Sequence, residues 1–131
     1  IYDKYDGPAK EAVADYLEKM GFSVTANPDK YGVDLIVLNK DKRLGVVEVE
    51  VRQWSPRCPF STIHVPSRKT KFFGGKNSLF FALTHDLSHA YWIESKDILE
   101  HPMKEVRNVK VTSGEYFFDV PTEAFNFVEL I

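Results

Sequence analysis

Cysteine is almost missing from this chain, with Cys58 standing alone among 131 residues. One cysteine excludes an internal disulfide and any zinc site built on paired thiolates. No apolar run approaches the roughly 20 residues that span a bilayer, and no basic-then-apolar leader is present. Together these absences predict a reducing, cytoplasmic (intracellular) setting and no membrane partner. No repeat, low-complexity tract or linker interrupts the sequence, so residues 1–131 are expected to form a single domain. The sharpest gap is one of charge. Between Val51 and His85 there is no Asp or Glu, yet Arg52, Arg57, Arg68, Lys69, Lys71 and Lys76 all fall there. The net charge of −2 conceals that segregation. An acid-free basic stretch is a footprint for a polyanion, and a solvated face of no special use is the plain alternative.

What is present is globular: 44% hydrophobic and 27% charged residues, near the averages for folded domains. Asp6-Gly7-Pro8 reads as a helix start, and Ala9, Val13, Tyr16, Leu17 and Met20 recur at helical spacing until Gly21. Short strands are expected at Phe22 to Thr25, Val33 to Leu38 and Leu44 to Arg52, the last two paired antiparallel across a polar turn. Trp54 to Pro66 reads as irregular because Pro56, Pro59 and Pro66 break regular structure. A short helix is expected over Ser67 to Phe73. Strands at Ser78 to Thr84 and Ala90 to Ile93 follow, then a helix capped by Ser95. A hairpin about Ser113-Gly114 and an edge strand at Phe125 to Leu130 complete the chain. The aromatic cluster Tyr116, Phe117, Phe118, Phe125 and Phe127 is expected to be core or a dimer face.

Chemistry concentrates in the second and third strands. Glu48, Glu50 and Arg52 alternate with Val47, Val49 and Val51, so period-two geometry sets the charged side chains on one face. Asp34 adds a third carboxylate on the neighbouring strand, a place where aspartate is disfavoured. Carboxylates gathered on strands suit a magnesium ion, which takes oxygen ligands and keeps several waters. An exposed, alternately charged strand is the bland reading of the same pattern.

Asp34, thirteen residues, then Glu48-Val49-Glu50, after a helix ending in Gly21-Phe22, resembles the PD-(D/E)xK nuclease superfamily. The resemblance covers roughly residues 6 to 93. It implies an α/β fold: a mixed central β-sheet flanked by helices, a restriction-endonuclease-like core in the order αβββαβ, here with extra C-terminal strands. The run Ile63 to Lys69 with Phe80 to Leu83 is also similar to phage and bacterial members. Two departures stand out. The family's usual lysine is replaced by Glu50 in one register and by Arg52 in the other. Many members also carry a glutamate in the first helix; here Glu11 projects away from the apolar stripe, and the equivalent spacing from Gly21 falls on Lys10.

The resemblance implies a metal-dependent nuclease hydrolysing DNA phosphodiester bonds; no base-reading module is evident, which points to structure-selective cutting or to specificity supplied by a partner or a dimer, and RNA is not excluded as a substrate. Asp34, Glu48 and Glu50 would hold Mg²⁺, with Mn²⁺ as a substitute, while Arg52 and Lys69 stabilise charge on the phosphate. Arg68, Lys71 and Lys76 would hold the backbone, with His64 beside them. A homodimer is left open. The alternative from another class is a catalytically inactive nucleic-acid-binding or assembly module with the same fold. If the three carboxylates simply crowd one another, Asp34→Ala should leave the metal-free fold unharmed.

Overall fold

The computed structural model describes residues 6–26, 34–39, 42–66, 78–106 and 115–130. Helix α1 (Asp6–Lys19) sets Ala9, Val13 and Leu17 on one buried stripe, the four-residue recurrence of a helix lying on a core. It ends where Gly21 takes φ +99, with Phe22 N–H donating to Leu17 C=O at 3.1 Å and Gly21 N–H to Glu18 C=O at 3.0 Å. That paired closure needs a left-handed residue, which glycine supplies without strain.

Among the described residues nine strands follow in two sheets. The larger has six strands in the order β1-β2-β3-β5-β6-β9. Its members are β1 (Ser23–Ala26), β2 (Leu35–Asn39), β3 (Lys42–Val51), β5 (Ser78–Leu83), β6 (His89–Glu94) and β9 (Asn126–Glu129). Among the described strands β3 and β5 pair in parallel and the other neighbours antiparallel. The smaller sheet, in the order β4-β8-β7, is antiparallel and made from β4 (Thr62–Pro66), β7 (Met103–Val106) and β8 (Glu115–Pro121). A one-turn helix α2 (Ser95–Ile98) follows β6.

Strand alternation divides the interior into two cores. Val47 and Val49 of β3, with Phe81 and Leu83 of β5, pack with Ala9, Val13 and Leu17 of α1. Phe80 and Ala82 belong to a second cluster with Ile63 and Val65 of β4 and Phe118 and Val120 of β8. The mixed α/β sheet with extra C-terminal strands is therefore the observed architecture. Those C-terminal strands do more than extend it, since β7 and β8 join β4 to cover one face.

Several local expectations change. Residues 62–66 are strand β4, because Ile63 and Val65 alternate inward and Pro66 ends the run. Ser95 lies inside α2 rather than capping it, and its buried hydroxyl meets that of Ser78 at 2.9 Å. Asp34 stands one residue before β2, not within it. The helix expected over Ser67 to Phe73 and the turn at Ser113-Gly114 lie outside the described residues. Among those residues no helix is long and apolar enough to cross a membrane.

Candidate metal and phosphate site

Strand β3 sits in the middle of the large sheet, so its charged side chains are not those of an exposed edge. Glu48 aligns with Phe80, and Glu50 with Ala82, both on the face that looks toward the smaller sheet. Glu48 is only 4% exposed. A carboxylate so deep among aromatic and aliphatic groups is costly to bury unless something of opposite charge or strong dipole compensates it.

Asp34 reaches this strand through its side chain. Regular pairing between β2 and β3 begins at Leu35 opposite Val47. Beyond that point the Val49 N–H is taken by Asp34 Oδ2 at 2.7 Å. The carboxylate substitutes for a neighbouring backbone carbonyl, which fixes its position against β3. Its other oxygen, Oδ1, lies 3.4 Å from Lys10 Nζ of α1, with the two side chains 16% and 27% exposed. Lys10 is the residue absent from the site expected from sequence. The helical spacing from Gly21 pointed to it, and the contact gives that spacing a partner. Glu11, one residue on, is exposed.

At the far end of β3, Arg52 Nε lies 3.0 Å from Glu50 Oε1, and Arg52 Nη2 donates to the His64 carbonyl at 2.6 Å. Glu50 Oε2 is buried with no hydrogen-bond partner among the described residues. His64 in turn places Nε2 3.1 Å from Asp119 Oδ1, its cross-strand partner on β8. Asp119 had no sequence signal beyond being one acid in an aromatic strand. A groove of about 380 Å³ opens beside this chain of contacts, lined by Arg52, Trp54, Phe60, Ser61, Thr62, Ile63 and His64. Trp54 leans edge-on against Tyr91 at 5.4 Å, whereas Phe60 is 63% exposed.

The structure thus brings Asp34, Glu48, Glu50, Arg52 and His64 onto or beside β3, and adds Lys10 and Asp119. Lys69, Arg68, Lys71 and Lys76 lie outside the described residues. Among the described residues no three His, Cys, Asp or Glu side chains group closely enough to hold a metal ion by themselves. The aromatic cluster splits: Phe118 and Phe125 are buried in the second core, Phe127 stacks on His89 at 5.2 Å, and Tyr116 is 51% exposed.

A further acid-stabilising geometry lies in the β5–β6 turn. Thr84 and Ser88 hydroxyls both donate to Asp86 Oδ1 at 2.7 Å, joined by the Ser88 N–H at 3.1 Å. The Thr84 hydroxyl, then those from Ser88, hold the Asp86 carboxyl well below the usual carboxylate range. This is a turn staple.

No protein-family model and no curated protein matches the sequence. Solved structures are similar in fold. Hjc, a Holliday junction resolvase from Archaeoglobus fulgidus, aligns over 96% of this chain and 92% of its own, with a TM-score of 0.59 and 9% identity. A nuclease from a fusselovirus aligns over 96% of this chain and 89% of its own, with a TM-score of 0.54 and 17% identity. At these identities the likeness is one of fold: the chain shares the α/β architecture of two nucleases, the fold that its PD-(D/E)xK resemblance implies.

Proposed function

We propose that this chain is a metal-dependent nuclease that hydrolyses DNA phosphodiester bonds, with Asp34, Glu48 and Glu50 as the metal-holding residues. The observation that carries the reading is the pinning of Asp34 to the Val49 N–H of the central strand. It holds a carboxylate on rigid backbone beside the strand that bears the other two. The donor set suits magnesium or manganese. The buried Glu50 Oε2 lacks a hydrogen-bond donor among the described residues, as an oxygen kept for a cation would. Magnesium needs only one or two carboxylates and retains waters, so a closed three-ligand cluster is not required.

When bound, the ion would supply hydroxide from water and offset charge on the phosphate oxygens. The protein's own contribution is position. Arg52, clamped by Glu50 and the His64 carbonyl, orients Glu50 as much as it offers charge to a phosphate. His64 borders the groove beside Arg52. Lys69 is a second source of charge for the reacting phosphate, and Arg68, Lys71 and Lys76 give sequence-tolerant hold on the backbone. That the two similar structures named above are nucleases, one of them a Holliday junction resolvase, supports DNA as the substrate and a branched junction as the first to test.

The test is incubation with branched, single-stranded and duplex DNA, and with RNA, in Mg²⁺ or Mn²⁺. Cleavage lost in Glu50→Ala is expected. Binding without cutting under either metal would refute the enzyme and leave the catalytically inactive binding or assembly module. That second reading draws on one observation: the lysine usual two residues after the motif glutamate is missing. A homodimer would set two such sites on one substrate, and light scattering of the DNA complex reports the stoichiometry.

A further inference from the structure

We propose that Lys10 supplies the positive charge missing from Glu48-Val49-Glu50, sharing Asp34 with the divalent cation and then serving the phosphate. The inference rests on the nuclease reading and deepens it. Two positions after Glu48 stands another acid, Glu50. Two positions after Glu50 stands Arg52, whose guanidinium is committed to Glu50 at 3.0 Å and to the His64 carbonyl at 2.6 Å. Neither residue of the strand is a mobile cation.

Lys10 is better placed. Its ammonium lies 3.4 Å from Asp34 Oδ1 and is 27% exposed, on a helix whose neighbouring Ala9 and Val13 are locked in the core. The backbone of α1 therefore cannot drift, while the four-carbon stem can swing. Asp34 cannot follow, because Oδ2 is held by the Val49 N–H at 2.7 Å. Asp34 Oδ1 would thus face both the ammonium and a divalent cation held by the carboxylates. Their repulsion would weaken metal binding, and the Lys10 ammonium, kept near Asp34 by α1, would be at hand to offset charge on an anionic substrate.

The two effects have opposite signs, which a merely structural lysine would not produce. Mn²⁺ alone is titrated by electron paramagnetic resonance into the unaltered protein, Lys10→Met and Lys10→Arg. Single-turnover cleavage of junction DNA is measured at saturating Mn²⁺. Lys10→Met should bind Mn²⁺ about tenfold more tightly, as expected for removing a like charge from a partly buried site. It should cut slower by on the order of 10²-fold, the usual effect of losing one positioned charge. Lys10→Arg should keep the weaker metal binding and recover part of the rate. Lys10→Met with unchanged or weaker Mn²⁺ binding, or with full cleavage rate, overturns the proposal alone. Unaltered protein that cuts no DNA overturns the nuclease reading, and this proposal with it.

Discussion

Replacing Asp34 by alanine sets two physical pictures against each other. If three carboxylates merely crowd one face, removing one should leave the metal-free protein as stable as before, or more so. The structure gives Asp34 another task, because Oδ2 accepts the Val49 N–H at 2.7 Å and Oδ1 faces Lys10 at 3.4 Å. A hydrogen bond to an ionised acceptor contributes about 1.5–3 kcal/mol, and alanine leaves the donor partly buried without it. The Lys10 contact adds at most about 1 kcal/mol, since both side chains keep some solvent. Any relief of repulsion subtracts from that total, so a net loss of about 2 kcal/mol is expected. For a domain of this size that lowers the melting temperature by roughly 6–10 °C. Urea unfolding in excess EDTA measures the effect with no metal bound. Asp34→Asn is the internal control, because its amide oxygen still accepts from Val49, and it should lose only about half as much. Asp34→Ala as stable as the unaltered protein in EDTA would refute this account and restore the crowding picture.

Three further outcomes follow from the fold and its turns. Glycine to alanine should act with opposite signs at two open positions: Gly7→Ala in α1 should stabilise by about 0.5–1 kcal/mol, while Gly21→Ala at φ +99 should cost about 1–2 kcal/mol. Equal effects at the two sites in urea melts would refute this. Phe81→Ala should cost about 3–5 kcal/mol, because the ring is wholly buried between Tyr16 and Trp92. A loss under about 1 kcal/mol would mean the first core is loosely packed. The Asp86 carboxyl is held down by hydroxyls, so its folded pKa lies below the unfolded one. Its contribution is then full above the unfolded value, about 3.9, and fades as pH falls toward the depressed folded value. The stability gap between unaltered protein and Asp86→Asn should be constant above about pH 5 and shrink below about pH 4. A gap independent of pH would show that the hydroxyl staple does not favour the charged form.

Local pattern carried much of the fold. The stripe of Ala9, Val13 and Leu17, the Gly21 stop and the valine alternation of β3 all depend on neighbours within a few residues. What the pattern concealed depends on distant partners. Val47 and Val49 looked like the core face and Glu48 like a polar one, yet both faces of β3 are covered. The buried cluster on the Glu48 side, around Phe80, draws on β4 and β8, where Ile63 pairs with Val120. Nothing near either residue announces that pairing. Pro56 and Pro59 before β4 and Pro66 at its end also hid the strand, although His64 between Ile63 and Val65 alternates as strands do. At the candidate site the strand residues were legible as a patch, and Asp34 as an anomaly in an apolar run. The task that holds Asp34, accepting from a backbone N–H fifteen residues away, was not legible, because main-chain donors leave no trace in a sequence. Lys10 was visible only as a spacing until α1 and Asp34 were set side by side.

The parallel join between β3 and β5 also bears on time. Val46 meets Ser78 across 32 residues of chain, and Ile63 meets Val120 across 57. Pairings so distant must bear the entropy of closing long loops before any contact rewards them, which places such domains among the slower folders, in milliseconds to seconds. Helix α1 and the β1–β2–β3 meander can form from local contacts. The layer over Glu48 and Glu50 cannot, because it waits for β8 to arrive. Among the described residues, that side of β3 therefore stays without its β8 cover until the last third of the chain has been made.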